Sequence, residues 1–561
     1  MMFIRAKKRG TRTYLQIVEN ERIGSKVVQH VKATIGRLDI LQETGQLDSL
    51  LRSGLRFSQQ LMVLDAHKNG ATTTTRTRKI GIPLLFEKLW KDTGIKAVVN
   101  SLLGERKFQF PLERILFATV LHRLVAPGSD RAAEKWISSY AIDGLDSAIE
   151  LQHFYRTMGW LGEALPEEHQ NTATPFMWRA NKDRIEEGLF ALRQDLFTKL
   201  DIVFFDTTSL HFEGKGGDHL GHRGFSKNNR SDLNQVVVGV VIDDKGNPLC
   251  SEIMPGNTTD VKTLIPIAER LKKQFGVQRI CIVADRGMIS KETIRELEQL
   301  DWDYILGVRM HRVVEVRDTV LLDNGKYDEI YPERITAHDP APLEVKELTV
   351  EDRRYIICSN EEEVRKDKYD RDAIVAALRE QLKQGDKSLV GNKGYRRYLK
   401  SAKGHFEIDE EKLKLEERFD GKWVLRTNTD LDKKDVAMKY KQLLLVEDIF
   451  RTMKSILDTR PVFHKCDDNI SGHVFCSFLA LVMRKALQDR IDAKKWKLEW
   501  ADIVRDVDAI EEVEVTHDNK QFIIRNEVSG VAGKALQAAG VALPPVLRET
   551  KMCGTTLELR L

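Results

Sequence analysis

The chain has 561 residues, 42% of them hydrophobic and 31% charged, with only 14 Pro. That composition excludes a disordered tail, a collagen-like repeat and a low-complexity protein. Basic residues number 89 against 85 acids, a net of +4, so any affinity for nucleic acid must come from local clusters and not from the total.

At ~100–200 residues per domain the chain has room for roughly three to five units. Residues 1–70 form the first: an alternation of apolar and polar residues up to about 45 predicts a small antiparallel β unit with turns at Gly10 and Gly24. The polar string NGATTTTRTRK (69–79) reads as a linker. Over 71–200 the pattern turns helical: IGIPLLFEKLW, LERILFATVLHRLV and IEEGLFALRQDLFTKL place apolar residues at three- and four-residue spacing.

At 201 the period changes. DIVFFD, QVVVGVVID and NPLCSEIM predict three strands of a meander, with DDKG (243–246) as a tight turn. A helix over TTDVKTLIPIAERLKKQF, a strand QRICIVAD, a helix SKETIRELEQL and a strand WDYILGV follow. This is α/β, in the element order of a ribonuclease-H-like core occupying 201–309 and 422–490. Residues 310–421 break the rhythm with strand-like pieces (RVVEVRDTVLL, RRYIICSN) and predict an inserted domain. The core resumes with the strand KWVLRTN and one long amphipathic helix over 431–457. The run Val474–Met483 is strongly apolar but about half of what a bilayer-spanning helix needs, so a soluble protein with no membrane partner is expected. Residues 491–561 predict a short helix, a strand pair and an Ala/Gly-rich helix, a region free for dimer contacts. The Cys residues at 250, 281, 358, 466, 476 and 553 are too scattered for a disulfide framework and fit a reducing compartment.

Three acids stand where such a sheet places chemistry. Asp206 ends the first strand, Asp285 ends the fourth, and Glu447 lies mid-helix in LLLVEDIF. Carboxylates converging on one point repel each other unless cations neutralise them, and hard oxygen ligands select Mg²⁺ or Mn²⁺ over zinc. Two such ions ~3.5–4 Å apart suit an in-line phosphoryl displacement.

The strings FFDTTSLHFEG, GHRGFSKNNRSDLNQVVVGVVIDDKGNPL, MPGNTTD, ADRGM and YKQLLLVEDIFRTMKSIL, in that order, resemble those of insertion-sequence DDE transposases. More narrowly they are similar to the group whose last acid sits in a Tyr-x2-Arg-x3-Glu-x6-Lys signature. The resemblance implies that Asp206, Asp285 and Glu447 are catalytic and hold two Mg²⁺ or Mn²⁺ ions. It implies double-stranded DNA as partner, both element ends and target, a homodimer in the DNA complex, and a bacterial, nucleoid-associated protein of the cytoplasm. Tyr440, Glu447 and Lys454 follow the signature spacing, and on a continuous helix they share one face. Leu443 stands where the signature has Arg, and Arg451, one turn beyond Glu447, is the candidate replacement.

Tyr440, Arg451 and Lys454 are thus candidate DNA contacts, as are Lys227 and Arg230 in HRGFSKNNR and Arg396 and Arg397 in NKGYRRYLK, where Tyr395 and Tyr398 add stacking capacity. The helical region of 71–200, with the β unit, is expected to bind the terminal repeats. No Trp lies between 310 and 421, and Trp302 reads as a core residue, so the sequence assigns no base-stacking Trp. His464, Cys466, His473 and Cys476 are zinc-ligand types at non-finger spacing, and Cys476 reads as buried; His464 or His473 is instead expected near the acids and DNA. Two alternatives stay open: a metal-dependent nuclease or resolvase on the same core, and a catalytically inactive, domesticated DNA-binding regulator.

Overall fold

The computed structural model describes residues 2–23, 26–55, 63, 66–68, 70, 73–104, 106–145, 149–193, 202–225, 230, 232–277, 280–331, 340–385, 396–402, 405–517 and 520–549. They fall into two compact units, one of 1–82, 499–537 and 542–561, the other of 83–498 and 538–541. Gly24, Lys227, Tyr395 and Cys553, all named above, lie outside the described residues.

In the first unit, β1 (Met2–Arg9), β2 (Arg12–Ile23) and β3 (Lys26–Arg37) form the expected antiparallel sheet. Its first turn passes through Gly10, whose φ of +60° is a backbone state that suits glycine. Residues 73–79 are no linker: they are a strand, β4 (Thr73–Lys79). Threonine-rich polar sequence satisfies β-propensity as well as a linker composition does.

The second unit is built on a nine-stranded mixed sheet. Its first strands are β5 (Ile202–His211), β6 (Gln235–Asp243), β7 (Pro248–Pro255), β8 (Cys281–Ala284) and β9 (Asp303–Gly307). They lie in the order β7-β6-β5-β8-β9, the antiparallel meander followed by two parallel strands that the sequence predicts. The near-continuous apolar runs of β5, β6 and β8 are buried because both faces are covered. One face packs on the helices Leu264–Phe275 and Lys291–Gln299 around Phe205, Ile282, Leu271 and Leu297. Trp302 is in this core, as expected.

The segment 310–421 departs from its prediction. The strands β10 (Asp328–Tyr331), β11 (Leu343–Val350) and β12 (Arg353–Ser359) continue the same sheet, because β12 pairs antiparallel with β15 (Lys422–Thr427), which itself pairs with β9. RVVEVRDTVLL is not a strand. It folds as the helix Val314–Asp318 and the 3₁₀ turn Val320–Leu322, whose Val316, Val320 and Leu321 bury against Tyr355, Ile357 and Val424. Among the described residues, a hairpin of β13 (Leu399–Ala402) and β14 (His405–Ile408) and the helices Glu361–Lys383 and Glu410–Glu416 stand apart from the sheet.

The helical stretch after 80 is not an independent module either. The helix Leu112–Val125 is buried along nearly its whole length and packs, with Leu151–Gly162, on the helix Asp467–Ala493. That last helix is long and apolar enough to cross a membrane, yet its most apolar window is 83% buried inside this unit, so it is a core helix. A helix buried on every side cannot read a DNA groove, and Leu112–Val125 is withdrawn from that role.

The C-terminal residues return to the first unit. There β16 (Glu511–His517), β17 (Lys520–Arg525) and β18 (Leu547–Glu549) form one sheet with β4, and Lys79 reaches Asp508 at 2.5 Å. The predicted tail and the supposed linker are therefore two edges of one small domain.

Candidate active site

Asp206 does not end its strand; β5 runs five residues further and stays paired with β6 to His211. On its other side, however, the parallel partner stops. The register pairs Phe205 with Ala284, the last residue of β8, so Asp206 and Asp285 occupy the next rung, where β8 has just ended. The gap left by β8 makes this the carboxyl-end crevice of the sheet, the position open α/β sheets use for chemistry.

The Thr207 N–H donates to Asp206 Oδ1 at 2.7 Å. Asp285 is exposed and opens a 3₁₀ turn, Arg286–Met288. Arg309 clamps that turn by donating from Nε to the Arg286 carbonyl and from Nη2 to the Gly287 carbonyl, both at 2.9 Å.

The predicted single helix over 431–457 is broken. Lys433–Lys441 lies on β8, β9, β11 and β12, whereas Leu444–Arg451 lies on β5 and β6. The two are joined by a turn at Gln442 and Leu443, whose backbone stays in the helical region. After Arg451 the backbone widens into a π-turn, Thr452–Ile456, that carries Lys454. Tyr440, Glu447 and Lys454 therefore sit on three consecutive segments, two α-helices and a π-turn, and not on one regular α-helix. Glu447 is exposed on the piece that crosses β5, the strand of Asp206, and Val446 and Phe450 bury the opposite side.

Tyr440 is better defined. Its hydroxyl donates to Asp285 Oδ1 at 3.0 Å, and burial together with the Asp285 charge pushes its phenol well above the ordinary range. The contact requires Gly307 at the end of β9, because a Cβ there would collide with Tyr440 Oη. Tyr440 thus joins the third-acid segment to the second acid.

Of the other predicted contacts, Arg451 pairs with Asp448 on the surface of its helix. Arg230 pairs with Asp232 at 3.0 Å, and Phe225, earlier in the same string, is 87% exposed. Arg397 is exposed and stacks over Tyr398. Tyr398 itself is buried against Val375, Leu378 and Leu413, which withdraws it from stacking on a base. Arg396 begins the short 3₁₀ turn before β13.

The histidines are engaged elsewhere. His473 is buried, with Nε2 at 3.1 Å from the Thr459 carbonyl and Nδ1 at 2.7 Å from Arg123 Nη2 and 3.2 Å from His464 Nε2. His464 Nε2 lies 3.3 Å from Asp130 Oδ2. Asp130, His464 and His473 thus converge as metal-ligand types, but the buried Arg123 cation already balances Asp130 and fills the space at His473. Among the described residues neither Cys466 nor Cys476 belongs to the cluster, and the histidines bond to Thr459, Arg123, Asp130 and each other rather than to Asp206, Asp285 or Glu447.

Burial opposes the charged carboxyl of Asp130, but the His464 hydrogen bond and the Arg123 cation overcome it and hold the group down to about 2. Burial, with Arg123, pushes the nearby His122 down to about 4. Both folded values lie below the unfolded ones, so both contributions are complete above the unfolded pKa and are lost as pH falls, His122 from about 6.5 and Asp130 from about 3.9. The unfolding midpoint is therefore expected to drop on acidification below about pH 6.5, by an amount equivalent to about 3 kcal/mol for His122. Urea titrations of wild type and His122→Leu between pH 7 and pH 4.5 check this: the variant should show the flatter profile.

Sequence reasoning missed Arg309, Gly307 and one acid, Asp260, whose Oδ1 accepts from the Thr207 hydroxyl at 2.7 Å. The signal was present in MPGNTTD, an acid closing a polar loop just before a helix.

Two family models match the chain: a transposase DDE domain over residues 198–483, and an IS1634 family transposase N-terminal domain over residues 3–68. No curated protein matches. Solved structures with some likeness include the Mos1 transposase paired-end complex with left transposon end, at 13% identity over 36% of this chain and 60% of that one, with a TM-score of 0.14. A pre-cleavage Mos1 transpososome (15%, 37% and 58%, TM-score 0.14) and the Mos1 mariner paired end complex with Mn (12%, 39% and 65%, TM-score 0.14) are others. The chain spans less than two thirds of the length of each. The DDE model covers half of the sequence and brackets both strand-borne acids and Glu447, and the chain belongs to the DDE transposases.

Proposed function

We propose that this transposase binds the terminal inverted repeats of an insertion sequence, hydrolyses a strand at each end, and joins the freed 3′-hydroxyl to target DNA as a homodimer. The core is read as ribonuclease-H-like and the third-acid segment as that of the Tyr-Arg-Glu-Lys group. The observation that supports this best is the adjacent rung of Asp206 and Asp285, with Tyr440 of the Glu447 segment bonded to the second acid.

The donor set fits divalent cations of the Mg²⁺ or Mn²⁺ type, since Asp206, Asp285 and Glu447 offer carboxylate oxygens, the hard donors such ions take. Two ions held there would supply charge neutralisation at the attacking and leaving oxygens. The chain's own part is positional: Thr207 orients Asp206, Tyr440 and Arg309 fix Asp285 and its turn, and the sheet holds both acids on one rung.

DNA binding is assigned to the basic strands β1 and β2, with Lys7, Lys8, Arg9 and Arg12 around the first turn, to the loop of Phe225 and Arg230, to Arg396 and Arg397, and to Lys454. Lys454→Ala is expected to reduce the salt slope of end binding by about one counterion. Arg451, whose charge Asp448 already matches, should change the slope less; an exposed pair of that kind is worth ~0–1 kcal/mol. Binding isotherms across salt concentrations for wild type and both alanine variants decide between them.

The whole reading is tested by incubating the protein with DNA carrying its element ends, Mg²⁺ and a target plasmid. Joined products are expected. Cutting without joining favours the nuclease or resolvase, and binding without cutting favours the inactive regulator.

A further inference from the structure

Beyond the π-turn the chain runs through residues 458–466 before it enters the helix Asp467–Ala493. The middle of that segment is tied to the far end of β5. The Val462 N–H donates to the His211 carbonyl at 3.1 Å, and the Val462 carbonyl accepts from the Glu213 N–H at 3.0 Å. The segment therefore links the Glu447 piece to the strand that carries Asp206. Between it and the helices Asp130–Ile137 and Leu151–Gly162 lies a cavity of about 560 Å³. That volume falls within the ~300–1,000 Å³ of small-ligand sites.

Both walls are fixed. Asn469 Nδ2 donates to the Tyr155 carbonyl at 2.8 Å, and the Ser129 hydroxyl caps the helix Asp130–Ile137 by accepting from the Ala132 N–H at 3.2 Å. On the other side the Thr459 and Ser477 hydroxyls lie 2.9 Å apart. The floor is the cluster of Asp130, His464 and His473, whose charge Arg123 already balances. What the walls present is of two kinds. Tyr155 is 41% and Phe463 61% exposed, two aromatic rings left in solvent. Arg131 and Lys465 are exposed and Arg460 is half-buried, and among the described residues none of these three forms an ion pair. Outside the floor cluster the lining acid is Asp458, so three cations stand against one carboxylate. Aromatic faces beside unmatched cations suit a ligand that is flat and apolar at one end and anionic at the other, as a nucleobase with its phosphate is. An inorganic anion would use the cations and leave both rings wet.

We propose that this cavity is a nucleoside-phosphate site, in which Tyr155 and Phe463 stack on the base and Arg131, Arg460 and Lys465 hold the phosphate. The occupant that its place beside β5 favours is an unpaired nucleotide of a bound DNA strand; a free mononucleotide carries the same chemistry. A strand occupant rests on the transposase reading above, and a free mononucleotide does not.

The test uses the full-length protein and a fluorescein-labelled oligothymidylate, read by anisotropy, with dTMP and inorganic phosphate as competitors. Phe463→Ala and Tyr155→Ala are each expected to weaken oligothymidylate binding at least about fivefold, the worth of one stacked base, with the salt slope unchanged. Phe463→Tyr keeps a ring and should bind as wild type does. Arg460→Ala should lower the salt slope by about 0.7, one single-strand counterion. Lys465→Glu, at an exposed position, stands in where a ring truncation fails to fold and should weaken binding likewise. Displacement by dTMP but not by inorganic phosphate supports the site, and dTMP binding without oligothymidylate affinity, lost in the same variants, assigns it to free nucleotides. Equal displacement by inorganic phosphate, or wild-type oligothymidylate and dTMP affinity in both ring variants, overturns the proposal; element-end duplex binding, measured alongside, then leaves the transposase reading standing. If wild type fails to bind that duplex, the transposase reading falls, and the ring variants still decide the cavity through the two nucleotide probes.

Discussion

Asp206→Asn, Asp285→Asn and Glu447→Gln are each expected to slow strand cleavage by at least about a thousandfold, a loss of about 4 kcal/mol in transition-state stabilisation, while end binding changes little. The asymmetry follows from what each group touches. Under the proposed function, carboxylates in the crevice where β8 stops serve the chemistry, whereas affinity for DNA is carried by cations outside it. Amide replacements keep the shape and remove the charge, so folding is spared. Tyr440→Phe is the graded companion: it deletes one hydrogen bond to Asp285 and should cost about tenfold in cleavage, the worth of a bond to a charged group. Gel assays of nicking and of end binding, run on the same preparations in Mg²⁺, report the two quantities separately. Wild-type cutting by any one of the acid variants would take that acid out of the site, and a Tyr440→Phe defect in binding alone would return Tyr440 to the role of a phosphate contact.

These acids were legible because their context is periodic. FFD and VAD close apolar runs that can only be buried strands, and a carboxylate at the end of such a run has no apolar partner and must face an opening. The third segment was legible in composition but not in shape. LLLVEDIF keeps helical spacing across the turn at Gln442 and Leu443, where the contacts pass from β8, β9, β11 and β12 to β5 and β6, and no local pattern reports that change. Asp260 was hidden because a lone acid in a loop looks like solvent-facing charge until the fold brings Thr207 against it. The β4 strand was hidden for a related reason: its pairing partner, β16, lies more than 400 residues further along the chain, and nothing local reports a pairing of that range.

The least legible feature carries the largest expected effect on stability. Within ERLKKQF, Arg270 reads as part of a charged helix face, yet it is fully buried. It donates to Asp183 at 2.7 Å and to Glu252 at 3.0 Å, and it also pairs with Glu186; Lys182 lies 3.0 Å from Asp183. Arg270 thereby ties the helix Asn181–Arg193 to β7 and to its own helix, which follows directly on the Asp260 turn. Three carboxylates share two cations there. Burial opposes ionisation of Asp183 and Glu252, and the uneven supply of cations sorts these two. Lys182 and Arg270 hold Asp183 below the usual carboxylate range, while burial, reinforced by the Asp183 charge, pushes Glu252 above it.

Arg270→Met should then cost about 3–5 kcal/mol, because it leaves buried carboxylates facing a single lysine. That is a large share of the ~5–15 kcal/mol that holds a domain together, and the variant is expected to unfold at much lower urea or to accumulate insoluble. Glu252→Gln should cost little, since it replaces a group already biased toward its neutral form. The pH dependence gives the sharper check. A carboxyl whose folded pKa is raised stabilises most below its unfolded pKa of about 4.3, and that contribution is lost as pH rises through the folded value. Wild type bears this loss and Glu252→Gln does not, so the stability gap between them should narrow from pH 5 to pH 8. Urea midpoints of the three proteins at the two pH values measure it. A widening gap would mean that Glu252 is held ionised, and that Arg270 balances three full charges rather than two.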